Sequence, residues 1–119
     1  MAQKIVAKSL LDLTMNQDNV YLTITIGNYQ IGGSVLQFED SNTPLPYKGT
    51  ISNQLLGQNA ALSGKKLKII TTVLDSNPAT NNIVITFGFQ GTTASPIVIQ
   101  DTAGNTGDYY ILTTEYAFN

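Results

Sequence analysis

Carboxylates are the most reactive side chains in this sequence. Its 119 residues include eight Asp and Glu and six basic residues, all lysines, but no His, Cys, Trp or Arg. Disulfides, zinc sites with Cys or His ligands, histidine acid–base catalysis and arginine clamps are therefore excluded. The chemistry that remains is that of carboxylates, amides, hydroxyls and tyrosine.

Calcium is the cofactor that such groups suit best. It takes about six to eight oxygen ligands from carboxylates, Asn side chains and backbone carbonyls in flexible loops. Residues 101–108 (DTAGNTGD) carry suitable groups, and Asp40 and Asp75 are expected to approach from neighbouring loops. Asp40, Asp75, Asp101 and Asp108 are the predicted metal ligands. The loop lacks the EF-hand spacing and final Glu, so the alternative is that its Asp and Asn serve turns.

A second set of residues is suited to binding a partner. Tyr21 lies opposite the apolar side of its strand, which predicts an exposed ring of the kind common at protein interfaces and useful for stacking on sugars. Lys66 and Lys68, with Lys65, form the only basic cluster. Tyr21, Lys66 and Lys68 are the predicted interaction residues. The alternative for the lysines is a solvated strand end that discourages wrong strand pairing.

Nucleic acid and catalysis are both disfavoured. The net charge is −2, whereas proteins that neutralise phosphates carry a basic stripe. Residues 63–66 have the S-x-x-K spacing of some serine acylases, but the glycine and the strand pattern after it predict a loop rather than the helical turn this chemistry needs. No carboxylate is marked as the acid or nucleophile of a glycosidase. The chain is predicted not to be an enzyme.

The segments that must position these residues are strands. Residues 20–26 alternate apolar and polar side chains, as a half-buried strand does. Residues 65–75 and 83–90 alternate in the same way and are predicted to pair antiparallel, with their odd-numbered residues in the core. Residues 27–28 (Gly-Asn) predict a tight hairpin turn into a returning strand at 29–38, in which residues 32–33 (Gly-Gly) predict a bulge or bend.

Four weaker strand segments and one helix-like stretch complete the chain. The strands are predicted at 4–13, 47–52, 97–100 and 108–118, and the helix-like stretch is 53–62. About eight short strands predict an all-β fold: an antiparallel two-sheet β-sandwich formed by one domain, 1–119, with a small closed β-barrel as the alternative. Whether residues 4–13 pair within their own domain or are donated to a neighbour stays open.

The strand count decides which loops share an end of the sandwich. Successive antiparallel strands run in opposite directions, so eight strands place the loops at 15–19, 39–46, 75–82 and 101–107 at one end. All the acids except Glu115 then gather there. Lys4, Lys65, Lys66 and Lys68 lie towards the opposite end. The sequence thus predicts an acidic end and a basic end.

These expectations favour a non-enzymatic interaction module. Complementary ends and a surface rich in uncharged Thr, Asn and Gln suit a structural or assembly component that contacts another protein or a second copy. The alternative is a calcium-dependent carbohydrate- or lipid-binding module that uses the acidic loops. No apolar run is long enough for a membrane span. No signal peptide follows Met1, which predicts a cytoplasmic location or export by a signal-free route.

Overall fold

The computed structural model describes residues 2–119. It contains ten strands and one short helix. The strands are β1 Gln3–Ala7, β2 Leu11–Leu13, β3 Asn19–Ile26, β4 Ile31–Phe38, β5 Leu45–Lys48, β6 Ile51–Gln58, β7 Lys66–Leu74, β8 Asn82–Gln90, β9 Ile97–Thr102 and β10 Tyr109–Phe118. The helix, α1, is Asn59–Leu62. The predicted all-β sandwich of two sheets is confirmed.

Sheet 1 contains parallel strand pairs at one edge, whereas sheet 2 is antiparallel throughout. Sheet 1 has the order β1-β10-β7-β4-β5, with β2 also paired to β10, and sheet 2 has the order β6-β3-β8-β9. Both β1 and β2 run parallel to β10, and the other strand pairs are antiparallel. The N-terminal segment therefore pairs within its own chain. We call the end of the sandwich where β10 begins the lower end, and the end where β10 finishes the upper end.

Alternating burial along the central strands builds the core. In β7 and β8 the odd-numbered side chains are buried, as the sequence predicted, because one side of each strand faces the opposite sheet. The predicted pairing of these two strands is wrong, however. β7 lies between β10 and β4 in sheet 1, and β8 lies between β3 and β9 in sheet 2. The loop between them therefore connects the two sheets at the lower end.

The predicted hairpin at residues 27–28 is also wrong. β3 belongs to sheet 2 and β4 to sheet 1, so this turn carries the chain from one sheet to the other. Asn28 and Tyr29 adopt left-handed backbone angles, with φ of 57° and 56°. The Gln30 N–H donates to the Gly27 carbonyl at 3.2 Å. Gly-Asn predicted a turn correctly, but turn residues do not reveal which sheet the next strand joins.

The two glycines of β4 permit close packing instead of forming a bulge. β4 keeps a continuous register with both β5 and β7. A Cβ atom on Gly32 would lie 2.6 Å from the Thr72 carbonyl oxygen, and one on Gly33 would lie 2.7 Å from the Tyr47 carbonyl oxygen. These contacts are shorter than van der Waals distances, so only glycine fits at either position without a backbone shift.

The single predicted strand at 47–52 is two strands, β5 and β6. Gly49, with φ of 67°, separates them. β6 continues to Gln58, so most of the predicted helix-like stretch is strand and only four residues are helical. Register shifts against β3 and the left-handed Asn53, with φ of 47°, hide the period of two in this segment.

Because the chain has one more strand than predicted in this segment, every later loop lies at the opposite end of the sandwich from the predicted one. The loops after β6 and β8 lie at the upper end, while those after β7 and β9 lie at the lower end. Asp40 therefore lies at the upper end near Lys65, and Asp75, Asp101 and Asp108 lie at the lower end. The prediction of an acidic end and a basic end is therefore wrong. The head-to-tail charge complementarity that depended on it is wrong as well.

Candidate interaction surface

The outer face of sheet 1 carries a continuous set of apolar side chains. The strand register aligns its outward residues in rows across the sheet. From the lower end, the first row is Gln3, Tyr109, Leu74 and Ile31; the second is Ile5, Ile111, Thr72, Gly33 and Lys48; the third is Ala7, Thr113, Ile70, Val35 and Pro46. We call these three rows the apolar face. The one charged residue in its three rows is Lys48, at the β5 edge.

Exposure and shape distinguish this face from ordinary surface. Ile5 is 70% exposed and Ile31 is 64% exposed, although both are large apolar side chains. A shallow depression of about 410 Å³ opens over Gly33 and is lined by Ile70, Thr72 and Leu74. Single exposed apolar residues are normal, but a contiguous patch marks a binding surface.

A charged row lies directly above the apolar face. It contains Glu115, Lys68 and Gln37, which are aligned across β10, β7 and β4. Lys66 and Glu39 lie beyond it towards the upper end, around a cleft of about 380 Å³. Lys66 and Lys68, two of the predicted interaction residues, therefore border the apolar face. The sequence pattern had shown Ile70 and the lysines on one side of their strand, but it did not show which strands flank them.

The third predicted interaction residue, Tyr21, lies on the opposite side of the molecule. Its half-buried side chain is on the outer face of sheet 2, aligned with Gln90. The four described strands of sheet 2 contain one charged residue, Asp101, which turns towards Lys4 of sheet 1. The outer face of sheet 2 is thus uncharged, and it combines polar side chains with the exposed Leu55 and Val98. The structure does not bring Tyr21 together with Lys66 and Lys68.

Tyr29 is an exposed aromatic residue that the sequence reasoning did not single out. Its side chain is 94% exposed, and its backbone is left-handed. A bulky residue rarely adopts this conformation, and such outliers cluster at functional positions. The signal available in the sequence was its place directly after the Gly-Asn turn, two residues before Ile31.

The four predicted calcium ligands do not converge. Asp40 forms an ion pair with Lys65, with 3.2 Å between Oδ2 and Nζ, at the upper end. Asp75, Asp101 and Asp108 lie at the lower end in loops that are hydrogen-bonded to each other. Among residues 2–119, no three His, Cys, Asp or Glu side chains are close enough together to hold a metal ion.

Asp101 and Asp108 already have hydrogen-bond donors on both carboxylate oxygens. Lys4 Nζ lies 2.7 Å from Asp101 Oδ1, and the Tyr110 hydroxyl donates to Oδ2 at 3.0 Å. Lys4, and next the Thr102 backbone N–H, lower the pKa of Asp101 below its ordinary value. The backbone N–H groups of Ala2 and then Asn105 lower the pKa of Asp108. These carboxylates hold the N-terminal strand and the lower loops together.

Asp75 is fully buried beside Gln30. Its Oδ1 accepts a hydrogen bond from Gln30 Nε2 at 3.0 Å, and its Oδ2 has no partner among the described residues. Gln30 Oε1 also accepts the Ser76 and Asn77 N–H groups. Gln30 thereby fixes the loop that crosses from sheet 1 to sheet 2.

Two buried tyrosines give a matched test of the hydrogen bonds in the core. Tyr110 donates to Asp101, whereas the buried Tyr116 hydroxyl has no partner of good geometry among residues 2–119. We expect Tyr110→Phe to lower the free energy of unfolding by about 1–2 kcal/mol and Tyr116→Phe to leave it unchanged or raise it. Urea unfolding measures both variants. Equal losses in the two variants would contradict this assignment.

The same tyrosines predict sensitivity to alkali. Burial raises the pKa of Tyr116 to about 12, with the Thr114 hydroxyl acting in the opposite direction. Burial, and then the hydrogen bond to Asp101, raises the pKa of Tyr110 above its ordinary value. In the unfolded chain tyrosine ionises near pH ~10, so the stability from neutral Tyr116 is complete below about pH 10 and is lost as the pH rises through about 12. Circular dichroism at increasing pH should show Tyr116→Phe unfolding at higher pH than the wild type. An unchanged midpoint would contradict the prediction.

No helix in the described part of the chain has the length and apolar character needed to cross a membrane. Comparison of the chain with models of protein families, with curated proteins and with solved structures found no match.

Proposed function

We propose that this chain is a non-enzymatic interaction module, a structural or assembly component that contacts another protein through the apolar face. The observation that carries the proposal is the set of three rows on the outer side of sheet 1, whose one charge, Lys48, lies at the β5 edge and in which Ile5 and Ile31 are mostly exposed. Leaving such a patch in water is unfavourable by roughly 25 cal/mol per Å² of apolar area, and covering it with a partner recovers that free energy.

The surroundings of the apolar face also fit an interface. Protein interfaces combine an apolar centre with a polar or charged rim, and tyrosine is enriched in them. Here Tyr109 and Ile111 lie within the apolar rows, and the rim at the upper side is Glu115, Lys68 and Gln37. The depression over Gly33 offers a place for a side chain of the partner. Buried anchors in such depressions supply much of the affinity of an interface.

A pair of lysine substitutions tests the proposal. Ile70→Lys places a charge at the centre of the apolar face, while Val84→Lys places one on the outer face of sheet 2. The tagged chain, made in the cells that naturally produce it, should elute in an assembly larger than its own 12.8 kDa during size-exclusion chromatography. Ile70→Lys should shift it to the size of the free chain, and Val84→Lys should not. Identical elution of the two variants would overturn the proposal, provided that both melt like the wild type.

Calcium-dependent carbohydrate or lipid binding is the second candidate. It is now supported only by the lower end, where Asp75, Asp101 and Asp108 lie in linked loops. A calcium ion would have to displace the donors that already occupy Asp101 and Asp108, because calcium requires free oxygen ligands. Millimolar calcium added during thermal unfolding tests this candidate. A rise in Tm that Asp101→Asn abolishes would support it, and an unchanged Tm would count against it.

A further inference from the structure

We propose that the partner of the apolar face is a second copy of this chain, packed face to face about a two-fold axis that runs across the strands. This inference rests on the proposed function and names its partner. A symmetric contact of this kind requires a surface that is complementary to itself. The rows on sheet 1 are complementary to themselves when the axis runs across the strands, but not when it runs along them.

When the axis runs across the strands along the second row, each strand faces the same strand of the partner subunit. The second row then meets itself, so Ile111 and Thr72 each lie opposite their own copies. The first row meets the third, which sets Ile31 against Val35 of the partner subunit and Leu74 against Ile70 of the partner subunit. The three rows are uncharged apart from Lys48, which ends the second row at the β5 edge and therefore faces Lys48 of the partner subunit. Elsewhere apolar surface covers apolar surface, and the exposed Lys48 stays in water at the edge, so no charge is buried, which would be costly.

An axis running along the strands gives the opposite result. β7 is the middle strand of sheet 1, so it would lie on the axis and face its own copy. Lys66 and Lys68 would then meet Lys66 and Lys68 of the partner subunit. Like charges brought together at an interface are repulsive. The axis across the strands brings together only one lysine pair, Lys48 and its copy, at the exposed β5 edge, so the charge pattern favours this axis.

In this orientation the charged row of each copy also contacts the lower end of the other copy. The charged row of one copy forms the rim of the overlap and lies over the lower turn of its partner. Tyr29 lies at that end, 94% exposed and two residues before Ile31. Each strand faces its own copy, so Gln37 of the partner subunit lies opposite Tyr29, and Lys68 of the partner subunit lies one strand away. An ammonium group at that distance is attracted to the face of a tyrosine ring. The exposed Tyr29 thereby gains a contact in the assembly that it lacks in the single chain.

The overlap is close in size to a small specific dimer interface. The three central strands span about 27 Å from the lower turn to the charged row, and the edge strands β1 and β5 span about 15 Å each. At about 4.8 Å per strand, the overlap covers about 530 Å² per copy. Standard interfaces bury about 800 Å² per partner, and small specific ones bury about 600 Å². A contact restricted to the edge strands would fall well below this range.

Single cysteines distinguish the two axes, because the natural chain contains none. A short bismaleimide that spans the roughly 10 Å between packed sheets should join two copies of Thr72→Cys, which lies on the proposed axis. Lys68 is four residues away, so its two copies would be about 26 Å apart and Lys68→Cys should not be joined. Cross-linking of Lys68→Cys alone, or of both variants equally, would overturn the proposed axis.

Sedimentation of the purified full chain separates this inference from the proposed function. The wild type should sediment at about twice the monomer mass at high concentration, as should the control Thr86→Lys on sheet 2, while Ile111→Lys should remain monomeric. A wild type that stays monomeric overturns the second copy as the partner. If Ile70→Lys still disrupts the assembly in cells, the proposed function stands with a different protein as the partner. If Ile70→Lys leaves the assembly in cells intact, both the proposed function and the proposed dimer are overturned.

Discussion

Replacing Gln30 with alanine is expected to lower the free energy of unfolding by about 3–5 kcal/mol. Gln30 is the only described partner of the buried Asp75 carboxylate, through the 3.0 Å bond from Nε2 to Oδ1. Its Oε1 also accepts the Ser76 and Asn77 N–H groups at 2.8 and 2.9 Å. The substitution leaves a buried carboxylate and two N–H groups without partners, and the loop between the sheets loses its support.

A second glutamine near the same strand provides the control. Gln37 Nε2 makes one side-chain hydrogen bond, to the Ser41 carbonyl at 3.1 Å, and its side chain lies on the outer face. Gln37→Ala should cost about 0.5–1 kcal/mol. Chemical unfolding of both variants in urea measures the difference. If the two glutamines cost the same, Gln30 does not hold the crossing loop in the way described here.

Gly32→Ala is expected to cost about 2–3 kcal/mol, because the new methyl group has no space. Its Cβ would lie 2.6 Å from the Thr72 carbonyl oxygen and 2.7 Å from Ile26 Cδ1. The isoleucine end can rotate away, but the carbonyl belongs to β7 and cannot move without separating β4 from β7. The predicted result is a lower Tm with a native-like circular dichroism spectrum.

Gly88→Ala is the matched control for this prediction. Gly88 also lies in the middle of a strand, but the nearest atoms to its added Cβ belong to Thr23 and are 4.0 Å away. Alanine there removes backbone freedom from the unfolded chain, so stability should stay constant or rise by about 0.4–1 kcal/mol. Thermal unfolding of the pair checks both expectations. A loss at position 88 as large as that at position 32 would mean that the effect comes from glycine itself and not from space.

The sequence predicted the faces of the strands better than it predicted their neighbours. The alternation of Val20, Leu22 and Ile24, and of the odd residues in β7 and β8, follows directly from which side meets the core, so the buried sides were predicted correctly. Sheet membership depends on contacts between residues far apart in the chain. The pairing of Gln3 with Tyr109 leaves no local trace, and neither does the crossing of the chain at Gly27.

The error with the largest consequence came from a segment without a clear period. β5 is short and contains Pro46, and β6 is distorted at Asn53, so two strands looked like one strand and a helix. Loop ends alternate with every strand, so one missed strand moved Asp75, Asp101 and Asp108 to the opposite end from Asp40. The apolar face was hidden for a related reason. It combines residues of five strands, and only the strand order shows that Ile70 and Ile111 are neighbours.

Labelling of single cysteines in living cells tests the central claim most directly. The natural chain has no cysteine, so a membrane-permeant maleimide reports on one position in each variant. We compare Ile70→Cys at the centre of the apolar face with Val84→Cys on the outer face of sheet 2, and each rate is divided by the rate of the same variant in denaturant. A covered apolar face predicts that Ile70→Cys is strongly protected in cells while Val84→Cys reacts readily. Equal labelling of the two variants would contradict the claim that this face is an interface.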